Sequence, residues 1–460
     1  MAEPRTDIVQ MAYQNPHASA PLHIPVAVVC NTSDADLERN VRANSARDLD
    51  WIACSDPRGG VAVLVGGGAS VEDHIDDIRA LAENGAFIFA MNAASSYLNE
   101  HGIRVDAQVI ADAKPETAQL VDLNAARHMF ASQCHEATFE RALDNGRRPK
   151  VWHLEIGQVE DWFPEDRLKK GGYALIGGGA AVGNAGICLA FALGYREFHV
   201  FGYDSCHKDG RSHAYDQPMN KFMPCTDVTW AGRTFTASLA MKAQAEKFQI
   251  TGQAIEQAGG RIHLYGDGLL QTMWNTPAKD LAERDKYRLM WQMDSYRTVS
   301  PGEDAVPLFL AAARPDGLIA DFGCGTGRAS IALANMGHEV VLIDFADNSR
   351  DEEAKSLPFI EWDLTRPCPV RAPYGLCTDV MEHIPPEDVE TVIVNIMASS
   401  PCVFFQISTV DDVFGAILGT PLHLTVKPHD WWRDVFESLG FTVEWQEAGE
   451  IASCFLITCD

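Results

Sequence analysis

Leu318-Ile319-Ala320-Asp321-Phe322-Gly323-Cys324-Gly325-Thr326-Gly327 carries an apolar run into an acidic residue and then into a glycine-rich turn. The residues that follow place Ala329, Ala332, Leu333 and Met336 at helical spacing. The stretch therefore predicts a strand, a loop and a helix. Gly323, Gly325 and Gly327 let the backbone come close to a ligand at a helix N-terminus, a place that ordinarily suits a phosphate. Asp321 puts negative charge there instead, which predicts a cationic or zwitterionic ligand.

Reading outward, residues 339–343 predict a second strand ending in Asp344, 23 residues after Asp321, where a carboxylate can accept both hydroxyls of a ribose. Residues 359–363 predict a third strand ending in Trp362-Asp363. A fourth strand over 374–379 runs into Val380-Met381-Glu382-His383-Ile384. A fifth covers 402–407, and residues 441–447 and 451–458 suit a closing antiparallel pair. Asp321 to Gly327 resembles the first motif of class I S-adenosylmethionine-dependent methyltransferases, and Val380 to Ile384 resembles the post-strand motif of their small-molecule and lipid-type members. The resemblance implies a seven-stranded sheet over 317–460. It also implies S-adenosyl-L-methionine held by Asp321, Gly323, Gly325, Gly327, Asp344, Trp362, Asp363 and Asp379. One departure stands out: only 18 residues separate Asp344 from Trp362, so the helix between the second and third strands must be shortened or lost.

The N-terminal half shows a second strand-loop-helix series. An apolar run over 61–65 enters Gly66-Gly67-Gly68-Ala69-Ser70, with helical periodicity over 71–82. Strands are predicted over 87–92 and 105–112, ending in the polar residues Asn92 and Asp112 that would face a ligand. Residues 173–176 enter Gly177-Gly178-Gly179-Ala180-Ala181-Val182-Gly183-Asn184, followed by a small-residue helix over 185–193. A backbone amide nest at that helix start suits a phosphate or a nucleoside diphosphate. A strand over 198–201 then ends at Gly202-Tyr203-Asp204, with His207 and His213 beyond it.

This order, with Gly102-Ile103-Arg104-Val105-Asp106 and Leu193-Gly194, resembles the archaeal 6-hydroxymethylpterin diphosphokinases and the related motility-associated glycosyltransferases that modify flagellin. The match spans residues 25–275. Where relatives often carry Asp-Pro after the third strand, this chain has Asp112-Ala113-Lys114-Pro115. Phosphate or nucleotide contacts are expected from Gly66, Gly67, Gly68, Ser70, Asn92, Gly178, Gly179 and Asn184. Catalytic roles are expected for Asp112, Asp204 and His213, with His207 as an alternative to His213. Asp112 and Asp204 would also supply oxygen ligands to Mg²⁺, an ion that belongs to the diphosphokinase side of the resemblance.

A helix is expected between 276 and 316. It covers the cofactor with Tyr296 and Arg297, or it is an amphipathic helix between domains. For a hydroxyl acceptor, methyl transfer needs alignment and a base; His383 and His423 are the bases within reach, and each can equally be structural. Residues 422–428 with Trp431-Trp432 lie where the methyltransferases commonly contact substrate.

The fold class is thus α/β with two Rossmann-like domains: a lead-in over 1–54 whose first 20 residues are loosely ordered, a helix over 34–50, a first domain over 55–275, a linker and covering helix over 276–316, and a methyltransferase domain over 317–460. At 460 residues each domain can bury its own core. The net charge of −27 disfavours a nucleic-acid backbone as partner. No apolar run of about 18 residues predicts a membrane span, and no secretion signal opens the chain. The 12 cysteines are scattered without zinc-ligand spacing, and reduced core thiols such as Cys188 and Cys454 fit a cytoplasmic protein. The expected function is a bifunctional transferase acting on a small molecule, nucleotide-activated sugar or glycan. In the alternative, the N-terminal domain only binds substrate or a partner.

Overall fold

The computed structural model describes residues 5–13, 22–30, 32–154, 162, 175–179, 181–216, 224–276, 281–300 and 302–459. Strands β1 (Arg5–Tyr13) and β2 (Leu22–Cys30) pair with each other. A strand therefore replaces the loose order expected over part of the first 20 residues. The expectations for Tyr173, Ala174 and Ala180 lie outside the described residues. The chain divides into two compact units, centred on Ala27–Pro277 and Ala278–Asp460.

The first unit is built on β3 (Val61–Val65), β4 (Phe87–Met91), β5 (Ala107–Ile110), β6 (His128–Ala131), β7 (Lys150–Leu154), β8 (Leu175–Ile176) and β9 (Glu197–Phe201). A hairpin of β10 (Cys225–Trp230) and β11 (Arg233–Ser238) follows, and β12 (Arg261–Leu264) completes the set. The eight-stranded sheet runs β12-β9-β3-β4-β5-β6-β7-β8, parallel throughout. Strands of a parallel sheet are covered on both faces, which is why β3 reads Val-Ala-Val-Leu-Val without alternation and buries Ala62 to Val65. The chain leaves β3 for β4 on one side and finds β9 on the other, so the ends of β3 and β9 form a topological switch point.

Helix boundaries shift from the sequence reading. The helix over 34–50 ends at Ser45, capped at its start by the Ser33 side chain. The helix over 71–82 is a 3₁₀ turn, Ala69–His74, followed by Ile75–Glu83. The small-residue helix begins earlier, at Val182, and runs to Ala192. Its glycines have a packing reason: a Cβ on Gly183 would lie 2.9 Å from the Tyr203 ring, and one on Gly186 would lie 2.6 Å from the Met91 sulfur.

The second unit is a sheet of β13 (Ile319–Phe322), β14 (Val340–Asp344), β15 (Phe359–Glu361), β16 (Tyr374–Thr378), β17 (Cys402–Ser408), β18 (Thr442–Ala448) and β19 (Ala452–Thr458). Its order is β15-β14-β13-β16-β17-β19-β18, with β19 antiparallel to both neighbours. This is the seven-stranded class I methyltransferase sheet that the sequence implies. Between β14 and β15 there is only a 3₁₀ turn, Glu353–Ser356, where the short spacing left no room for a helix. Among the described residues no helix is long and apolar enough to cross a membrane.

Candidate cofactor and substrate sites

In the second unit, β13 delivers Asp321 to its C-terminal half, and helix Arg328–Asn335 begins after the glycine loop. Gly323, Gly325 and Gly327 all adopt positive φ, at 73°, 49° and 79°. The room around them is taken by the protein itself. A Cβ at Gly323 would lie 2.4 Å from Val380, at Gly327 2.6 Å from Ala354, and at Gly325 3.0 Å from the Trp291 ring. The glycines thus serve packing and backbone conformation as well as any ligand.

The sheet order sets Asp344, Asp321 and Asp379 at the ends of adjacent strands β14, β13 and β16. Asp321 is buried, accepts one hydrogen bond from Ser330 Oγ at 2.6 Å, and is pushed up to about 7, chiefly by desolvation. Asp344 accepts from the backbone N–H of Gly325 at 2.9 Å and of Ala346 at 2.8 Å, tying the end of β14 to the glycine loop. Burial pushes it up to about 6 against those bonds. Asp379 stands in the left-handed region at φ 54° and accepts from Gln406 Nε2 at 2.8 Å. A non-glycine residue in that region costs on the order of 1 kcal/mol or more, strain that tends to collect at functional sites.

Asp363 and Trp362 lie one strand further out. Asp363 is exposed, and one of its oxygens caps Thr365 through the backbone N–H at 2.9 Å and the hydroxyl at 2.8 Å. Trp362 carries the Arg366 guanidinium 4.5 Å from its ring. The sequence reading missed these two local partnerships; the Asp-x-Thr order was their only signal.

Ahead of β13 come helices Glu283–Met290 and Asp294–Thr298, and the segment touches the glycine loop through Trp291 and through Ser300, whose hydroxyl accepts from Thr326 Oγ1 at 2.9 Å. Trp291 faces Gly325, and its ring lies 4.8 Å from Tyr296. Burial first, then the negative fields of Asp412, Asp344, Glu382 and Asp379, holds the Tyr296 phenol protonated. Arg297 turns away to Asp351 at 2.6 Å, and Asp351 anchors the loop through its N–H to Thr326 O at 2.9 Å.

His383 and His423 meet edge to face, ring centres 4.7 Å apart. Burial pushes His383 down to about 3 and lowers His423 as well, so both rings are neutral near pH 7. Tyr287 lies 2.5 Å from His383 Nδ1, a partner that the aromatic run over 286–291 did not single out. Trp432 is wholly buried in the core, and Trp431 packs partly buried against the same cluster, so neither is presented as an open substrate platform.

In the first unit the glycine loop after β3 laces into the loop after β9. Gly66 N–H donates to Phe201 O at 2.8 Å, Gly68 N–H to Gly202 O at 2.9 Å, and Ser70 N–H to Asp204 Oδ2 at 2.8 Å. Ser70 Oγ donates to the other Asp204 oxygen at 2.5 Å. Phosphate or nucleotide contacts were expected from Gly66, Gly68 and Ser70; their backbone N–H groups are engaged within the protein. Gly67 lies against His213, whose ring would be 2.6 Å from a Cβ there.

Residues 37–210 match the family model described as 6-hydroxymethylpterin diphosphokinase MptE-like. The interlocked Gly66–Ser70 and Gly202–Asp204 loops both fall within the matched residues. Asp112 and Asp204 follow β5 and β9, three steps apart in the sheet, about 14 Å at the usual strand spacing. Among the described residues neither belongs to a group of metal-ligating side chains. Asp112 accepts from Lys114 N–H at 2.9 Å, and burial raises Asp204. Burial also pushes His213 down to about 4, leaving it a neutral ring with Ser212 Oγ 2.9 Å from Nδ1. His207 Nε2 lies 3.5 Å from the Cys225 sulfur.

The second glycine turn of the first unit differs from the first. Gly178 has φ 104° and nests against the Asn184 backbone, while Lys247 lies alongside Gly179. Helix Val182–Ala192 starts without a side-chain cap. Asn184 is wholly buried and donates to Gln244 O at 3.0 Å, and its Oδ1 has no partner among the described residues. Asn92, at φ 49°, likewise has an unpartnered buried Oδ1.

Three solved structures illustrate the similarity. The MAf glycosyltransferase of Magnetospirillum magneticum AMB-1 is 14% identical, with 66% of this chain and 50% of that chain covered and a TM-score of 0.39. Magnesium protoporphyrin IX methyltransferase of Synechocystis PCC 6803 with bound SAH is 18% identical over 38% of this chain and 93% of that chain, with a TM-score of 0.31. Human N-acetylserotonin methyltransferase in complex with SAM is 15% identical over 51% and 78%, with a TM-score of 0.32. No curated protein matches the chain.

Proposed function

We propose that this chain is a two-domain transferase: an S-adenosylmethionine-dependent methyltransferase unit joined to an MptE-like domain that handles a diphosphate-bearing or nucleotide-activated substrate. The observation that carries the first half is the row of carboxylates at the ends of β14, β13 and β16, around a glycine loop. The raised pKa values of Asp321 and Asp344 show buried charge that the protein leaves undercompensated. A ligand carrying an ammonium, a sulfonium and a ribose supplies the missing positive charge and donors. S-adenosylmethionine, when bound, supplies an activated methyl group. Asp344 accepts from the ribose, Asp321 faces the cationic end, and the neutral His383 and His423 rings can take a proton from an acceptor.

The second turn of the MptE-like domain suits an anion because an uncapped helix start, the Gly178–Gly179 bend and Lys247 all offer positive charge. A second reading, in which this domain binds substrate or a partner without chemistry, is favoured by the use of Asp204 and the Gly66–Ser70 N–H groups within the protein. Thermal denaturation of the full chain with S-adenosylhomocysteine, and separately with nucleoside diphosphates and nucleotide sugars, tests both halves. Expected are a rise of several degrees with S-adenosylhomocysteine at saturating concentration and a separate rise with at least one diphosphate. Gly178→Val, whose Cβ would lie 2.5 Å from the Asn184 backbone, abolishes the second rise only. No shift with S-adenosylhomocysteine defeats the methyl-donor assignment, and no shift with any diphosphate defeats the anion assignment.

A further inference from the structure

Glu382 is wholly buried in the second unit, and among the described residues no side chain pairs with either carboxylate oxygen. The backbone amides of Glu382 and Ser408 are the groups that face it favourably. A buried carboxylate in that state calls for a cation. One oxygen of Glu382 and one ring nitrogen each of His383 and His423 lie within 4.8 Å of one another.

The outer partners of the two histidines fix which nitrogens are available. His423 Nδ1 lies 2.6 Å from the Val410 carbonyl oxygen, which can only accept, so Nδ1 carries the proton and Nε2 keeps its lone pair. His383 Nδ1 lies 3.1 Å from the Leu422 carbonyl oxygen and 2.5 Å from the Tyr287 hydroxyl; with Tyr287 donating to Leu422 O at 3.4 Å, Nδ1–H is the donor to both oxygens and Nε2 again keeps its lone pair. Histidines that bind metal commonly donate the other ring N–H to a backbone carbonyl in this way, fixing the ring and its lone pair.

We propose that Glu382, His383 and His423 form a divalent metal site. Two imidazoles and one carboxylate select manganese, iron, cobalt or zinc over magnesium, and three protein ligands leave coordination positions open, as catalytic rather than structural sites do. The open positions suit a methyl acceptor that offers an oxygen ligand, and in the metal-bound state His383 and His423 hold the metal instead of taking the acceptor's proton; this use of the metal rests on the methyl-transfer reading, whereas metal binding itself does not. The other histidine cluster, Glu197, His199 and His263, differs in kind: there Arg261 and His263 already pair with the carboxylate.

The test uses the full chain, stripped with chelator and titrated with Mn²⁺, with loss of the free-ion electron paramagnetic resonance signal as the readout. One equivalent is expected to bind, and Glu382→Gln and His423→Ala are each expected to weaken binding by 10-fold or more, about the range seen when site residues are disturbed. Glu382→Gln keeps the shape of the side chain but cannot ionise to bind a metal, so it should fold, and its melting temperature should no longer rise on adding Mn²⁺ as that of the wild type does. No binding by the wild type, or unchanged affinity in Glu382→Gln, overturns the site. S-adenosylhomocysteine binding is measured alongside: Mn²⁺ binding that persists where S-adenosylhomocysteine does not bind upholds the metal site and removes the methyl-donor reading alone.

Discussion

Asp344→Ala is expected to lower the affinity for S-adenosylmethionine by about 100-fold or more, as read by calorimetric titration. A hydrogen bond to a charged carboxylate contributes about 1.5–3 kcal/mol, so losing two ribose contacts removes at least about 3 kcal/mol. The substitution also frees the N–H groups of Gly325 and Ala346, which Asp344 holds at 2.9 and 2.8 Å, and so loosens the loop beneath the ligand. Asp344→Asn separates the two effects: its amide oxygen can still hold one of these N–H groups, while the charge is gone. An intermediate loss is expected for Asn. Equal affinity in wild type and Asp344→Ala would sink the ribose assignment.

The strand ends were legible because each is an apolar run that stops at an acid, and a parallel sheet buried on both faces leaves no other reason for that break. Asp321, Asp344 and Asp379 are found at three adjacent strand ends for this reason. Long-range partners were not legible. Gly66, Gly68 and Ser70 have the composition of an anion nest, yet the Gly202–Asp204 segment, more than 130 residues away in sequence, takes up their N–H groups. Short strands also escaped. His128–Ala131 and Arg261–Leu264 have only four residues each, and the hairpin β10–β11 turns at Ala231-Gly232 rather than at the Asn-Gly that announces such turns. Glu382 sat inside a motif quoted for its histidine. That it is wholly buried with no side-chain partner among the described residues emerges only once β16, β17 and the segment around His423 are packed together.

Asp321→Asn is expected to stabilise the ligand-free methyltransferase unit at pH 8 while lowering its affinity for S-adenosylmethionine. Burial raises the Asp321 carboxyl to about 7, against about 3.9 in an unfolded chain. Between these values the folded state holds a proton that the unfolded state has lost. Its contribution to stability is therefore complete below about pH 4 and disappears as the pH rises through about 7. The full span corresponds to on the order of 4 kcal/mol. Asparagine cannot titrate, and its amide oxygen can still accept from Ser330 Oγ, which now bonds Asp321 at 2.6 Å. The variant's stability should accordingly fall less than that of wild type between pH 4 and 7, keeping the smaller decline due to Asp344, whose carboxyl is raised in the same direction to about 6. Urea denaturation at a series of pH values checks this, with calorimetry for the ligand. Parallel stability profiles for the two proteins would show that Asp321 is not the strained charge. A variant more stable at pH 8 but unaltered in affinity would show that the charge serves something other than the methyl donor.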